Sequence, residues 1–100
     1  MPVANAVAAM AEELAAWRRD FHRYPELMYA ETRTAARVTE LLRSFGLDVV
    51  ETGLGGTGVV GVLHGARGPG AGEAETILLR ADMDGLPIVE ATGAAHASCN

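Results

Sequence analysis

The chain has 100 residues, of which 49% are hydrophobic and 21% charged, and its formal net charge is -5 at pH 7. This composition is typical of one small globular domain and excludes a disordered or fibrous chain. The acidic balance argues against a nucleic-acid or anionic-membrane binder, which would present a basic surface. Cys99 is the single cysteine, so an internal disulfide is excluded, and the N-terminus lacks the basic and apolar regions of a signal peptide. We therefore predict a soluble cytoplasmic protein without a nucleic-acid or membrane partner.

Two amphipathic helices are predicted in the first half of the chain. The first runs from about Val3 to Phe21, where apolar residues recur at steps of three and four, and Pro25 follows its end. The second runs from roughly Glu31 to Ser44, and Gly46 is placed to form a left-handed C-cap. The apolar stripe of the first helix, expected to face the core, consists of Val7, Met10, Leu14, Trp17 and Phe21.

Three strands are predicted after the helices, at Leu47 to Thr52, Gly58 to His64 and Thr76 to Ala81. Residues 53–58 match the pattern GxGxxG, but an apolar, strand-like segment follows where a dinucleotide site needs a helix. We therefore interpret them as a turn between strands. A Gly-rich loop is predicted over residues 65–73. Two helices followed by three strands indicate an α/β fold in which the helices pack on a mixed sheet.

Two carboxylates follow the third predicted strand directly, at Asp82 and Asp84. Residues i and i+2 of an extended segment point to the same side, so the two charges would lie close together. Such a pair needs a cation, a shared proton or a hydrogen-bonded histidine to offset its repulsion. The pair therefore indicates metal, phosphoryl or acid/base chemistry, although two solvated acids in a turn before Gly85 and Pro87 would explain it equally well.

The three histidines give no metal-binding pattern. None has the i, i+4 partner of a helical zinc site. His22, at the end of the first helix, is interpreted as a structural histidine that complements the helix dipole. His64 and His96 are isolated at a strand end and in a segment from Ile88 to Asn100 that has no regular periodicity. That final segment is expected to lack helix and strand.

The sequence around Asp82 resembles two families with different chemistry. Asp-Met-Asp-Gly after an apolar strand is similar to the first motif of haloacid-dehalogenase phosphatases. That resemblance implies Asp82 as a phosphoryl-accepting nucleophile, Asp84 as general acid and magnesium as counter-ion. However, Leu86 stands where that motif has Thr or Val, and the motif normally opens its domain.

A second resemblance covers nearly the whole chain. The segments 17–27 (WRRDFHRYPEL), 31–36 (ETRTAA), 42–47 (LRSFGL), 58–61 (GVVG) and 79–88 (LRADMDGLPI) occur in the order seen in M20 metallopeptidases. They most resemble the amidohydrolase branch, with hippurate hydrolases, N-acyl-amino-acid deacylases and auxin-conjugate hydrolases. We call the first of these segments the His-Pro-Glu block and the last the Asp-Met-Asp block.

The M20 resemblance implies a metal-dependent amidohydrolase that cleaves N-acyl amino acid or peptide amide bonds. It implies a two-domain enzyme, possessing a catalytic α/β domain with two divalent metals and a smaller domain that closes the site and often forms a homodimer. Residues 1–100 would be the N-terminal portion of the catalytic domain. Zinc, manganese, cobalt and nickel are equally compatible with the sequence.

Little of that machinery is expected in these residues. By this resemblance, Asp84 matches the aspartate that orients a metal ligand. Asp82 occupies the position where other M20 branches have a metal-binding histidine and is expected near the site. The ligands of this branch, a Cys-Gly-His block, a Glu and two His, are expected beyond Asn100, so no metal is expected to be held by this chain alone. Cys99 lacks the following Gly-His, and Gly85 replaces the usual Ala. A non-enzymatic alternative is an inert folded remnant or interaction module.

Overall fold

The computed structural model describes residues 5–65 and 76–99. The helical part consists of a short α1 (Asn5–Ala8), α2 (Ala11–Arg23) and α3 (Thr32–Ser44). The predicted first helix is thus interrupted at residues 9–10, and its predicted start at Val3 lies outside the described residues. The second helix agrees with the prediction within one residue. Gly46 adopts φ 74°, so the predicted left-handed conformation after α3 is confirmed.

The sheet of the described residues is one antiparallel hairpin. Strand β1 (Val49–Leu54) pairs with β2 (Gly58–Val62), with an irregular register between Thr52 and Leu54. The intervening turn contains Gly55 and Gly56 at φ 63° and 103°, a region that residues with a Cβ rarely adopt. This confirms that the GxGxxG match is a hairpin turn. Helices together with this two-stranded sheet are consistent with the predicted α/β class. Among the described residues the sheet is antiparallel, and the predicted mixed sheet is not formed.

The third predicted strand does not form. Residues 76–81 have no regular secondary structure, and Ile77, Leu78 and Leu79 are 83–91% exposed. A strand that is apolar on both faces needs neighbouring strands and covering layers on each side. Among the described residues, 76–81 have neither a paired strand nor a covering layer. The prediction of a buried strand is therefore wrong here. The loop predicted over 65–73 lies outside the described residues except for Gly65.

Helix α3 lies against both strands of the hairpin. Two side-chain contacts connect α2 to α3 and the residue that follows it. The rings of Trp17 and Phe45 are 5.7 Å apart, and an ion pair of 2.7 Å joins Arg33 to Asp20. No apolar residue among the described ones is buried. In the apolar stripe of the first helix, Val7, Met10 and Leu14 are exposed and Trp17 and Phe21 are partly buried, so the stripe does not form a core. The buried residues of the described part are polar and belong to α3 and its cap: Glu31, Thr34 and Thr39.

No helix in residues 5–65 or 76–99 is long and apolar enough to cross a membrane. Residues 88–99 contain neither helix nor strand, as predicted from their lack of periodicity. They run back to the C-terminal end of α2, where the contacts described next begin.

Candidate functional site

The start of α3 is organised by a carboxylate from the His-Pro-Glu block. Glu26 accepts hydrogen bonds from the backbone N–H groups of Arg33 and Thr34, at 3.0 and 2.5 Å. These N–H groups belong to the first turn of α3 and have no partner within the helix. Partial burial raises the pKa of Glu26, but the two backbone donors outweigh it, and the net pKa is lowered. Glu26 therefore stays ionised and caps α3.

A second carboxylate joins the start of α3 to the hairpin turn. Glu31 is 6% exposed and accepts hydrogen bonds from the Tyr29 N–H at 2.9 Å and the Thr57 hydroxyl at 2.5 Å. The Thr57 hydrogen bond is the main reason that the pKa of Glu31 is lowered. Tyr29 lies at φ 64°, a strained conformation for a residue with a side chain. The polar contact between α3 and the hairpin thus rests on an ionised, buried carboxylate.

The structure brings the two motif blocks together. The Gly85 N–H donates to the carbonyl oxygen of Glu26 at 2.6 Å. A Cβ placed on Gly85 would lie 2.7 Å from the Cβ of Pro25, which is too close without a shift of the backbone. Gly85 therefore allows the Asp-Met-Asp block to lie directly on the His-Pro-Glu block. The sequence analysis identified Gly85 only as a replacement for the usual Ala and missed that close approach.

Four further contacts involve residues 90–99, and three of these attach the segment to the end of α2. His22 Nε2 is hydrogen-bonded to Glu90 Oε1, and the Ser98 N–H donates to the same oxygen at 3.2 Å. The Cys99 N–H donates to the carbonyl oxygen of Arg23 at 2.7 Å. The rings of His22 and His96 are 6.5 Å apart. We call this set of contacts the clasp.

Glu90 is the centre of the clasp. Hydrogen bonds from the Thr92 hydroxyl, from His22 and from the Ser98 N–H lower the pKa of Glu90 to about 2. An ionised carboxylate is only an acceptor, so Nε2 of His22 carries the proton in this contact. The prediction of His22 as a structural histidine at a helix end agrees with this position. His96, predicted to be isolated, instead lies beside it.

The two aspartates predicted for the site lie just before this contact region. Asp82 forms an ion pair of 3.0 Å with Arg80, and both side chains are largely exposed. Asp84 is also exposed and is followed by the Gly85 contact. In residues 5–65 and 76–99, no three His, Cys, Asp or Glu side chains converge in a way that could hold a metal ion. The described residues do not fit a metal site, and no catalytic step through a metal can be derived from them.

The described residues also contain an open groove of about 730 Å³ between α3 and the hairpin. Its walls carry threonines and small residues together with Glu40 and Arg43, and they include neither Asp82 nor Asp84. The groove is therefore separate from the region where the two motif blocks meet. Its lining includes Thr32, Ala35, Thr39, Thr52, Gly56 and Thr57.

Sequence reasoning missed Glu26, Glu31 and Glu90. Glu26 and Glu31 gave a detectable signal, since acids just before a helix are typical of capping. Glu90 gave none, because it lies 68 residues from His22 and no spacing rule links positions so far apart. Such a pair becomes visible only when the chain is folded.

Comparisons with known proteins identify relatives over most of the chain. A thermostable carboxypeptidase 1 of Saccharolobus solfataricus is 49% identical over 75% of this chain and 18% of its own length. An N-acetyldiaminopimelate deacetylase of Halalkalibacterium halodurans is 40% identical over 76% of this chain and 19% of its own. An N-acetyl-L-cysteine deacetylase of Bacillus subtilis is 37% identical over 92% of this chain and 21% of its own.

The chain thus spans about a fifth of the length of these relatives. No family model matches it, and no solved structure matches it. The phosphatase alternative finds no support in the names of the three relatives. The alignment with the Bacillus protein leaves at most about eight of the 100 residues outside, so it includes both motif blocks.

Proposed function

The chain belongs to the M20 family of metallopeptidases and amidohydrolases, and on that basis we propose that it is part of an enzyme that hydrolyses N-acyl amino acids or peptide amides. The observation that carries the proposal is the relationship to deacetylases and a carboxypeptidase, with one alignment that includes both motif blocks. In the structure these blocks are in direct contact, as expected if both contribute to one site.

The proposed role of these residues is to support the site. Asp84 is the residue of this chain that we assign to the orientation of a metal-binding group through a hydrogen bond, a role suited to an ionised carboxylate. Asp82, paired with Arg80, is assigned a place near the site without a defined chemical role. No described residue is assigned as a direct metal ligand, since no three His, Cys, Asp or Glu side chains of residues 5–65 and 76–99 converge on a common point.

The substrate class follows from the relatives. Two of the three are named as deacetylases of N-acetylated amino acids, and the third as a carboxypeptidase. All three names describe cleavage of an amide bond next to an amino acid. We therefore propose N-acyl amino acids as the first substrates to test and short peptides as the second.

The test uses the product of the open reading frame that encodes these residues. It is incubated with N-acetyl amino acids and dipeptides, and release of the free amino acid is measured. The measurement is repeated after chelation and after separate addition of zinc, manganese, cobalt and nickel. Hydrolysis that is lost on chelation and restored by one metal supports the proposal. Absence of hydrolysis with every metal, or hydrolysis that chelation leaves unchanged, overturns it.

A further inference from the structure

The contacts between residues 90–99 and the end of α2 include one hydrogen-bonded pair of complementary side chains, His22 and Glu90. The contacts Gly85 to Glu26 and Cys99 to Arg23 use backbone groups, which every residue except proline can supply. The contact between His22 and Glu90 uses an imidazole and a carboxylate, and few other side chains could replace them. This pair therefore contributes specificity to the clasp, beside the contacts of His96 with His22 and of Cys99 with Arg23.

The pair of His22 and Glu90 lies where it can attach the segment after Asp84 to α2. Glu90 follows Asp84 by six residues, and its carboxylate is 16% exposed while the His22 side chain is 48% exposed. Oε1 of Glu90 accepts hydrogen bonds from His22 and from the Ser98 N–H, whereas Oε2 accepts one from the Thr92 hydroxyl. One carboxylate thus holds the loop from 90 to 98 closed on itself and attaches it to α2.

We propose that His22 is a positioning residue, which acts through Glu90 to fix the segment that follows Asp84 against the end of α2. The inference rests on the proposed function for its catalytic meaning, because Asp84 can orient another group only if the chain next to it is held in place. On the N-terminal side of Asp84, residues 76–82 are exposed and lack regular structure. Attachment therefore comes from the C-terminal side, through Gly85 and the clasp.

The experiment compares three variants of His22 in the 100-residue chain. The amide of Ser98 is followed by NMR, because it donates directly to Glu90 and reports whether the loop is closed. His22→Gln places an amide N–H close to the position of Nε2, while His22→Asn places its donor near Nδ1 and too short of Glu90. His22→Ala removes the donor altogether.

We expect His22→Gln to keep the hydrogen-exchange protection of Ser98 within about twofold of the parent chain. We expect His22→Asn and His22→Ala to lower it roughly tenfold, the loss that follows from one hydrogen bond to a charged group. Glu90→Gln should lower it as well, whereas Glu51→Gln, at an exposed position on β1, should not. Equal protection in all His22 variants, or equal loss in all of them, overturns the proposal.

A second readout separates this inference from the proposed function. The same His22 variants are made in the open reading frame product, and kcat and KM are measured for an N-acyl amino acid. A loss of kcat of about tenfold or more in His22→Ala that His22→Gln restores supports the positioning role. Unchanged kcat in His22→Ala overturns it while leaving the proposed function intact. If the parent enzyme hydrolyses no such substrate, the proposed function fails, and the Ser98 measurement alone decides whether the clasp exists.

Discussion

Removal of the Glu26 carboxylate should loosen the start of α3, and the structure sets the size of the effect. Glu26→Ala deletes two hydrogen bonds to first-turn N–H groups, one exposed and one partly buried. Loss of a side-chain cap costs about 0.5–2 kcal/mol, and an ionised acceptor places the loss toward the upper part of that range. We therefore expect the free energy of unfolding to fall by about 1–2 kcal/mol.

The assay is urea unfolding followed by far-ultraviolet circular dichroism, together with hydrogen exchange of the Arg33 and Thr34 amides. The matched control is Glu40→Ala, which removes a glutamate carboxylate within α3. The Glu40 side chain is 70% exposed and pairs with Arg37 at 3.1 Å. An exposed ion pair of this kind contributes about 0.2–1 kcal/mol at most. If Glu26→Ala changes stability no more than Glu40→Ala does, and the two amides keep their protection, the capping interpretation is wrong.

The same reasoning gives a pH dependence for α3. The pKa of Glu26 is lower in the folded chain than in the unfolded one. Its contribution to stability is therefore complete above the unfolded pKa, near 4.3, and declines as the pH falls through the folded value. Circular dichroism between pH 7 and 2 should show a helix loss that is smaller in Glu26→Ala than in the parent chain.

Three further predictions concern Gly85, Glu90 and the two aspartates. Gly85→Ala places a Cβ 2.7 Å from Pro25, so we expect a displaced segment and a destabilisation of about 1–3 kcal/mol in urea unfolding; a fully stable variant with an unchanged amide spectrum would contradict this. The pKa of Glu90 is lowered to about 2. The contribution of its carboxylate to closing the loop of residues 90–98 is therefore complete above about pH 4.5 and is lost as the pH falls toward 2. NMR titration of the loop amides should show this loss, and a midpoint near pH 4.3 would contradict the prediction. In the open reading frame product, Asp84→Asn should lower the rate of N-acyl amino acid hydrolysis about 10–100-fold and Asp82→Asn less, as steady-state kinetics can measure; the reverse order would refute the assignment of Asp84.

The elements that sequence reasoning located are those with a local signal. Helix α3 combines an apolar periodicity with Gly46 just beyond its end, so its extent was predictable. The hairpin turn was predictable because its glycines separate two apolar strands. The strand predicted at 76–81 has an equally clear composition but no local partner, and an apolar run alone does not determine what it pairs with.

The candidate site divides in the same way. Asp82 and Asp84 could be proposed from the sequence because two acids after an apolar run form a local pattern, whereas His22 and Glu90 are separated by 68 residues. Closing a chain segment of that length has an entropic cost that one hydrogen bond of about 1 kcal/mol does not offset. The contact therefore depends on the others that share the same surface: the Gly85 approach to Pro25, the bond from Cys99 to Arg23 and the Ser98 bond to Glu90. Because these contacts stabilise one another, replacing His22 should release the whole segment after Asp84 rather than a single side chain.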